Sequence, residues 1–205
     1  MTKYFRSIYR KNVIESCLSV QCHENDPVTV FQGFPKDPEQ IAVQFILEDY
    51  DSKNIPVSQF AYLPWPVMCI QGVRSNGHRL KGTQGWLIKG IKVERLELDG
   101  RSVGSVWSDE QADYCILAGI LPHDTSQSRE EQARDVFLQM EEVLRYCGMN
   151  FLHVVRTWLY LDHLLEWYDE FNMVRTQFFN DRGIFEHGVP ASTGTHMVPV
   201  LLPEQ

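Results

Sequence analysis

The dominant period of hydrophobic and polar residues shifts past the middle of this chain. Before about residue 120 the pattern is mostly one of short runs and alternation at a period of two, the mark of half-buried strands. Residues 3–22 alternate loosely and predict one or two strands, with a turn near Asn12. VTVFQGF at 28–34 predicts a strand stopped by Gly33 and Pro35. Asp37-Pro38-Glu39 is a helix start, a capping side chain followed by proline at the first helical position. The next run, IAVQFILEDY, is therefore expected as a helix, although a buried strand has the same apolar character. Pro56, Pro64 and Pro66 make 51–66 an irregular connection. VMCIQGV at 67–73 predicts a strand, and Ser75-Asn76-Gly77 a turn. Residues 86–98 predict one long strand with a bulge at Gly90. Asp99-Gly100 then signals a hairpin into SVGSVWS, and Tyr114 to Ile120 a further strand.

From Ser128 the spacing becomes three and four. Ser128 and Glu131 fit a capping box. Ala133, Val136, Phe137, Met140, Val143, Leu144 and Cys147 form the stripe of a helix packed on a sheet, and Gly148 suits its C-terminal cap. HVVRTWLYL at 153–161 returns to a period of two. Val155, Thr157, Leu159 and Leu161 share one face of that strand; Val154, Arg156, Trp158 and Tyr160 share the other. Asp162 is expected to cap a second helix with Leu164, Trp167, Phe171, Val174 and Phe178 buried, and Gly183 follows its end. A last extended piece runs from about Ser192 to Leu202.

Strand, helix, strand, helix, strand predicts an α+β fold, a mixed sheet with helices packed on one face. Two parts are expected: 1–110, mostly β or a degenerate copy of the following unit, and 111–205, α+β. Composition narrows the class. With 43% hydrophobic and 22% charged residues, the chain can fill a core in water. No apolar run is long enough for a membrane span, and the basic N-terminus lacks a signal peptide's apolar stretch, so no membrane partner is expected. Five scattered cysteines, an odd number, read as reduced thiols in a cytoplasmic protein. A net charge of -8 opposes binding to a phosphate backbone, so nucleic acid is not an expected partner. Lys3, Arg6, Arg10 and Lys11 form a local basic group that reads as a solvated edge.

The second half resembles the YjgF/RidA superfamily, whose members have a chorismate-mutase-like fold. The resemblance lies in YCILAGILP at 114–122, the helix at 131–149, HVVRTWLYL, the helix ending in Phe178-Phe179, and GVPASTG at 188–194. Its dense RTW-Y, WYDEFN and VPASTG segments are nearest the longer chorismatase-related branch, whose extra N-terminal half matches residues 1–110. The resemblance implies a homotrimer with ligand clefts between subunits and a small carboxylated metabolite as ligand. It also implies hydrolysis of an enamine, imine or enol-ether bond, and it carries the endoribonuclease label often attached to the superfamily. Its deaminases hold the substrate carboxylate with an arginine directly after a Pro-Ala pair. Here Ser192 follows Pro190-Ala191, and the glutamate of the last strand is not found before Gln205. A non-catalytic ligand-binding or assembly protein on the same scaffold is the alternative.

Arg156 is the replacement carboxylate anchor; otherwise it stacks on Trp158 or pairs with an acidic helix residue. Tyr160 is a candidate to orient substrate or donate a proton; otherwise it is core. Ser192 and Thr193 are candidate ligand contacts, and so is Gly119, matched to a family glycine where backbone amides approach the ligand. Close packing explains Gly119 equally well. His187 and His196 lie nearest the presumed cleft in sequence, but no histidine pair has the spacing of a structural zinc site. Neither a metal nor a cofactor is expected. No glycine-rich phosphate loop and no nucleophile elbow occurs.

Overall fold

A computed structural model of the chain describes residues 2–21, 41–48, 63–71, 82–196 and 198–199. The expected strand at 28–34, the helix start at Asp37–Glu39, most of 51–66 and the turn at Ser75–Gly77 lie outside these residues. The fold is α+β, in two units: Met1–Gly119 with Pro199–Gln205, and Ile120–Val198.

The first unit holds a mixed six-stranded sheet. Its order is β1 (Thr2–Arg10), β2 (Val13–Gln21), β5 (Gly82–Lys89), β3 (Ile41–Glu48), β4 (Val67–Gln71) and β11 (Val198–Pro199). β3 and β4 run parallel, whereas β1–β2, β2–β5 and β3–β5 are antiparallel. Alternation assigns the faces. Leu18 and Val20 of β2 cluster with Ile41 and Leu87, while Val13 clusters with Ala42, Ile88, Val93 and Trp107. An antiparallel three-stranded sheet follows: β6 (Glu94–Leu98), β7 (Arg101–Ser108) and β8 (Asp113–Leu117). Ser105 of β7 donates to the Ala42 carbonyl at 2.6 Å.

Three expectations change here. IAVQFILE is a strand, not a helix. Ile41, Ala42, Val43 and Gln44 are all fully buried, because β3 is paired on both edges and covered on both faces. That environment rewards β-branched side chains and overrides the helix-start signal upstream. Gln44 is admitted because it accepts from Trp65 Nε1 at 2.8 Å and donates to Thr83 Oγ1 at 3.0 Å. Second, 86–98 is two strands. Gly90 adopts φ +100°, and a Cβ there would lie 2.0 Å from the Asn12 carbonyl oxygen, so the chain turns out of β5 instead of bulging through. Third, Tyr114–Leu117 pairs with β7 in the first unit and belongs to no sheet of the second. The Asp99-Gly100 hairpin forms with both residues at positive φ, 50° and 71°.

The second unit begins with α1 (Arg129–Tyr146), opened by the predicted Ser128–Glu131 capping box. Ala133, Phe137, Val143 and Leu144 are buried along its stripe. β9 (Arg156–Leu161) and β10 (Ala191–His196) form a parallel two-stranded ribbon. Parallel strands need a crossover. α2 (Tyr168–Asn180) and the single turn α3 (Ile184–His187) supply it. α2 starts later than Asp162 predicts: His163 takes a left-handed conformation and a 3-10 turn, Leu164–Glu166, intervenes. The predicted stripe is buried all the same. Phe137 sits at the centre of the core, its ring centroid 5.0 Å from Phe178, with Phe151, Phe171 and Phe179 within 6.3 Å. Arg182 ties α2's end to α1 by a two-pronged pair with Glu141, and its guanidinium lies 3.6 Å from the Phe178 ring centroid. Among the described residues, no helix is long and apolar enough to cross a membrane.

Candidate functional site

The ribbon begins at Arg156 and not at His153. Asn150 caps a 3-10 turn over Phe151–His153, accepting from the Leu152 amide at 2.9 Å, and buried Phe151 anchors that turn in the phenyl cluster. The predicted alternation shows in the exposure of residues 156–158, whereas Leu159, Tyr160 and Leu161 are all partly buried. Thr157 is 8% exposed, while Arg156 and Trp158 are exposed, Trp158 at 48%.

Register decides which residues of the second strand join Arg156. β10 pairs Ala191 with Arg156, Thr193 with Trp158, and Thr195 with Tyr160. Residues opposite each other in a ladder share a face. One face therefore displays Arg156, Trp158, Tyr160, Ala191, Thr193 and Thr195. Arg156 Nη2 donates to Thr193 Oγ1 at 3.0 Å, and its guanidinium carbon lies 4.8 Å from the Trp158 ring centroid. The stacking alternative for Arg156 is thus realised. Pairing with an acidic helix residue is not: among the described residues no carboxylate forms an ion pair with Arg156.

Ser192 and Gly119 have local explanations. Ser192 pairs with Thr157 in register, on the opposite face, and their hydroxyls lie 2.7 Å apart. That bond occupies Ser192 locally, away from Arg156. Gly119 belongs to the first unit. Its φ is +73°, and a Cβ would meet the Val67 carbonyl oxygen at 2.4 Å, so close backbone packing accounts for this glycine. Tyr160 is half-buried, and burial raises its phenol above the ordinary value, so it stays a protonated donor at neutral pH. Thr195, which the pattern of the sequence does not single out, carries a buried hydroxyl without a hydrogen-bond partner among the described residues. Alternation from Thr193 would have found it once the last strand was placed.

A second polar cluster lies at α1. Asp135 accepts from the His123 backbone amide at 2.7 Å and from Gln139 Nε2 at 2.9 Å, and His123 Nδ1 lies 3.0 Å from both of its oxygens. Burial alone would raise this carboxyl, but these bonds and the His123 charge outweigh it and hold Asp135 below its ordinary value. Gln139 also donates to the Leu121 carbonyl at 2.9 Å, so the cluster fastens the segment before α1. The His187 ring sits 3.0 Å from the Gly183 carbonyl, a local helix-end contact. The side chain of His196 lies outside the described residues. Among the described residues, no group of three or more histidine, cysteine or carboxylate side chains is arranged to hold a metal ion.

No protein-family model matches the chain, and neither a curated protein nor a solved structure does.

Proposed function

We propose that this chain is a small-molecule protein of the YjgF/RidA kind. It holds a small carboxylated metabolite on the open face of the β9–β10 ribbon, with Arg156 as the anchor. One observation carries the reading. Arg156 stands exposed on a strand, oriented by a neutral hydroxyl and an aromatic ring, with no carboxylate among the described residues neutralising it. The contrast is Arg182, which is spent on Glu141. A pre-oriented guanidinium with its charge uncompensated suits bidentate capture of a carboxylate. The acidic chain, at net charge -8, disfavours a nucleic-acid ligand. A cytoplasmic homotrimer fits the same reading, because parallel sheets rarely leave a face uncovered and a neighbouring subunit would cover this one.

Binding without turnover is the better-supported form, since the six side chains of the face include neither a carboxylate nor an imidazole. A second reading, hydrolysis of an enamine, imine or enol-ether bond, draws on Tyr160, whose protonated phenol can donate to a leaving group. Calorimetry with hexanoate and benzoate tests the anchor. Arg156→Met is expected to weaken both by about tenfold or more, the worth of a charge-assisted hydrogen bond. Undiminished affinity in that variant would falsify the proposal. Sedimentation of the unaltered chain tests the trimer.

A further inference from the structure

The face that holds Arg156 has a second polar position. Arg156 reaches across the ribbon to Thr193, so its guanidinium sits at the rung formed by Trp158 and Thr193. The next rung on the same face is Tyr160 with Thr195, two residues along. At the rise of an extended chain that is about 7 Å further. Thr195 Oγ1 is shut off from solvent and makes no hydrogen bond among the described residues. A buried hydroxyl in that state is costly and rarely left so. The half-buried Tyr160 phenol is its neighbour across the ladder.

We propose that Tyr160 and Thr195 form a second subsite, which takes an uncharged carbonyl, hydroxyl or ether oxygen of the same ligand whose carboxylate Arg156 holds. The inference rests on the carboxylate reading above and narrows it to carboxylates bearing a second oxygen about one rung interval away. The second group is uncharged because this rung offers hydroxyl donors and no cation. A second carboxylate there would be desolvated without compensation. Thr195 as a residue is partly exposed, and a turn about its Cα–Cβ bond presents the hydroxyl to a ligand oxygen, the partner it lacks, whereas a methylene in the same place leaves it unpaired. A site built to hydrogen-bond an oxygen discriminates strongly against an analogue without one.

Hexanoate and 5-oxohexanoate form the matched pair of probes, since the ketone of the second lies roughly one such interval from its carboxylate when extended. Calorimetry would compare their affinities in the unaltered chain and in Thr195→Val, Thr195→Ser, Tyr160→Phe and Arg156→Met. The oxo acid is expected to bind about tenfold more tightly to the unaltered chain. That preference should fall to about one in Thr195→Val, shrink in Tyr160→Phe, and survive in Thr195→Ser, which keeps the hydroxyl. Equal affinities in the unaltered chain would overturn the subsite, as would a preference kept by Thr195→Val. In both cases a loss of both ligands in Arg156→Met would leave the carboxylate reading standing. If Arg156→Met weakens neither acid, the carboxylate reading fails and the subsite falls with it.

Discussion

Replacing Arg182 with methionine removes the partly buried ion pair that joins α1 to α2, along with a weaker hydrogen bond of 3.3 Å to the Phe178 carbonyl and the guanidinium's place over the Phe178 ring. The pair is two-pronged, with Nη2 to Oε2 at 2.7 Å, and the side chains are only 23% and 15% exposed. An exposed pair is worth under about 1 kcal/mol. Removing one partner of a fully buried pair costs about 3–5 kcal/mol, because a charge is stranded. Glu141 falls between these limits. It would keep Arg145 at 3.1 Å, yet that arginine is 63% exposed and compensates weakly. Methionine retains apolar contact with Phe178, so most of the loss is electrostatic. The expected cost is about 2 kcal/mol at neutral pH. The hydrogen bond from Arg182 is the main cause holding the Glu141 carboxyl below its ordinary value; burial opposes it, and the charges of Arg182 and Arg145 assist. A carboxyl depressed in the folded state adds stability above its unfolded pKa, about 4.3, and loses it as pH falls through the lower folded value. The gap between the unaltered chain and Arg182→Met should therefore be full at pH 7 and shrink below about pH 4. Urea unfolding followed by far-ultraviolet dichroism at 222 nm measures it, since the described α-helices all lie in the second unit. A cost below about 0.5 kcal/mol at pH 7, or the same cost at both pH values, would refute the reasoning.

Phe137→Ala removes the ring that four other phenylalanines surround, at a position 2% exposed. It should cost about 3–5 kcal/mol in the same unfolding assay, and a cost under about 1 kcal/mol would mean that α1 and α2 repack freely. Gly119→Ala meets both a positive φ and the Val67 carbonyl. It should destabilise the first unit and speed amide exchange in β4, while hexanoate binding to the second unit persists. Loss of binding with exchange unchanged would instead make Gly119 a ligand contact.

Much of this protein is written in local patterns. Ser128 and Glu131 are three residues apart, so their capping box needs nothing beyond the first helical turn. Asp99-Gly100 needs only two positive φ values, and the parity that sets Arg156 and Trp158 apart from Thr157 needs only an extended chain. These features depend on neighbours in sequence and are legible there. Other features depend on what arrives from elsewhere. Ile41–Glu48 is a strand because β4 and β5 flank it and both its faces are covered, which outweighs a helix-start signal a few residues earlier. The break at Gly90 exists because the Asn12 carbonyl passes where a side chain would stand. Arg156 meets Thr193 and not Ser192 because of a single register between strands separated by a helical crossover. A slip of one residue would exchange the two. Period and capping are short-range and legible in one chain segment. Pairing, register and close backbone approach join segments far apart, and only the folded chain decides them.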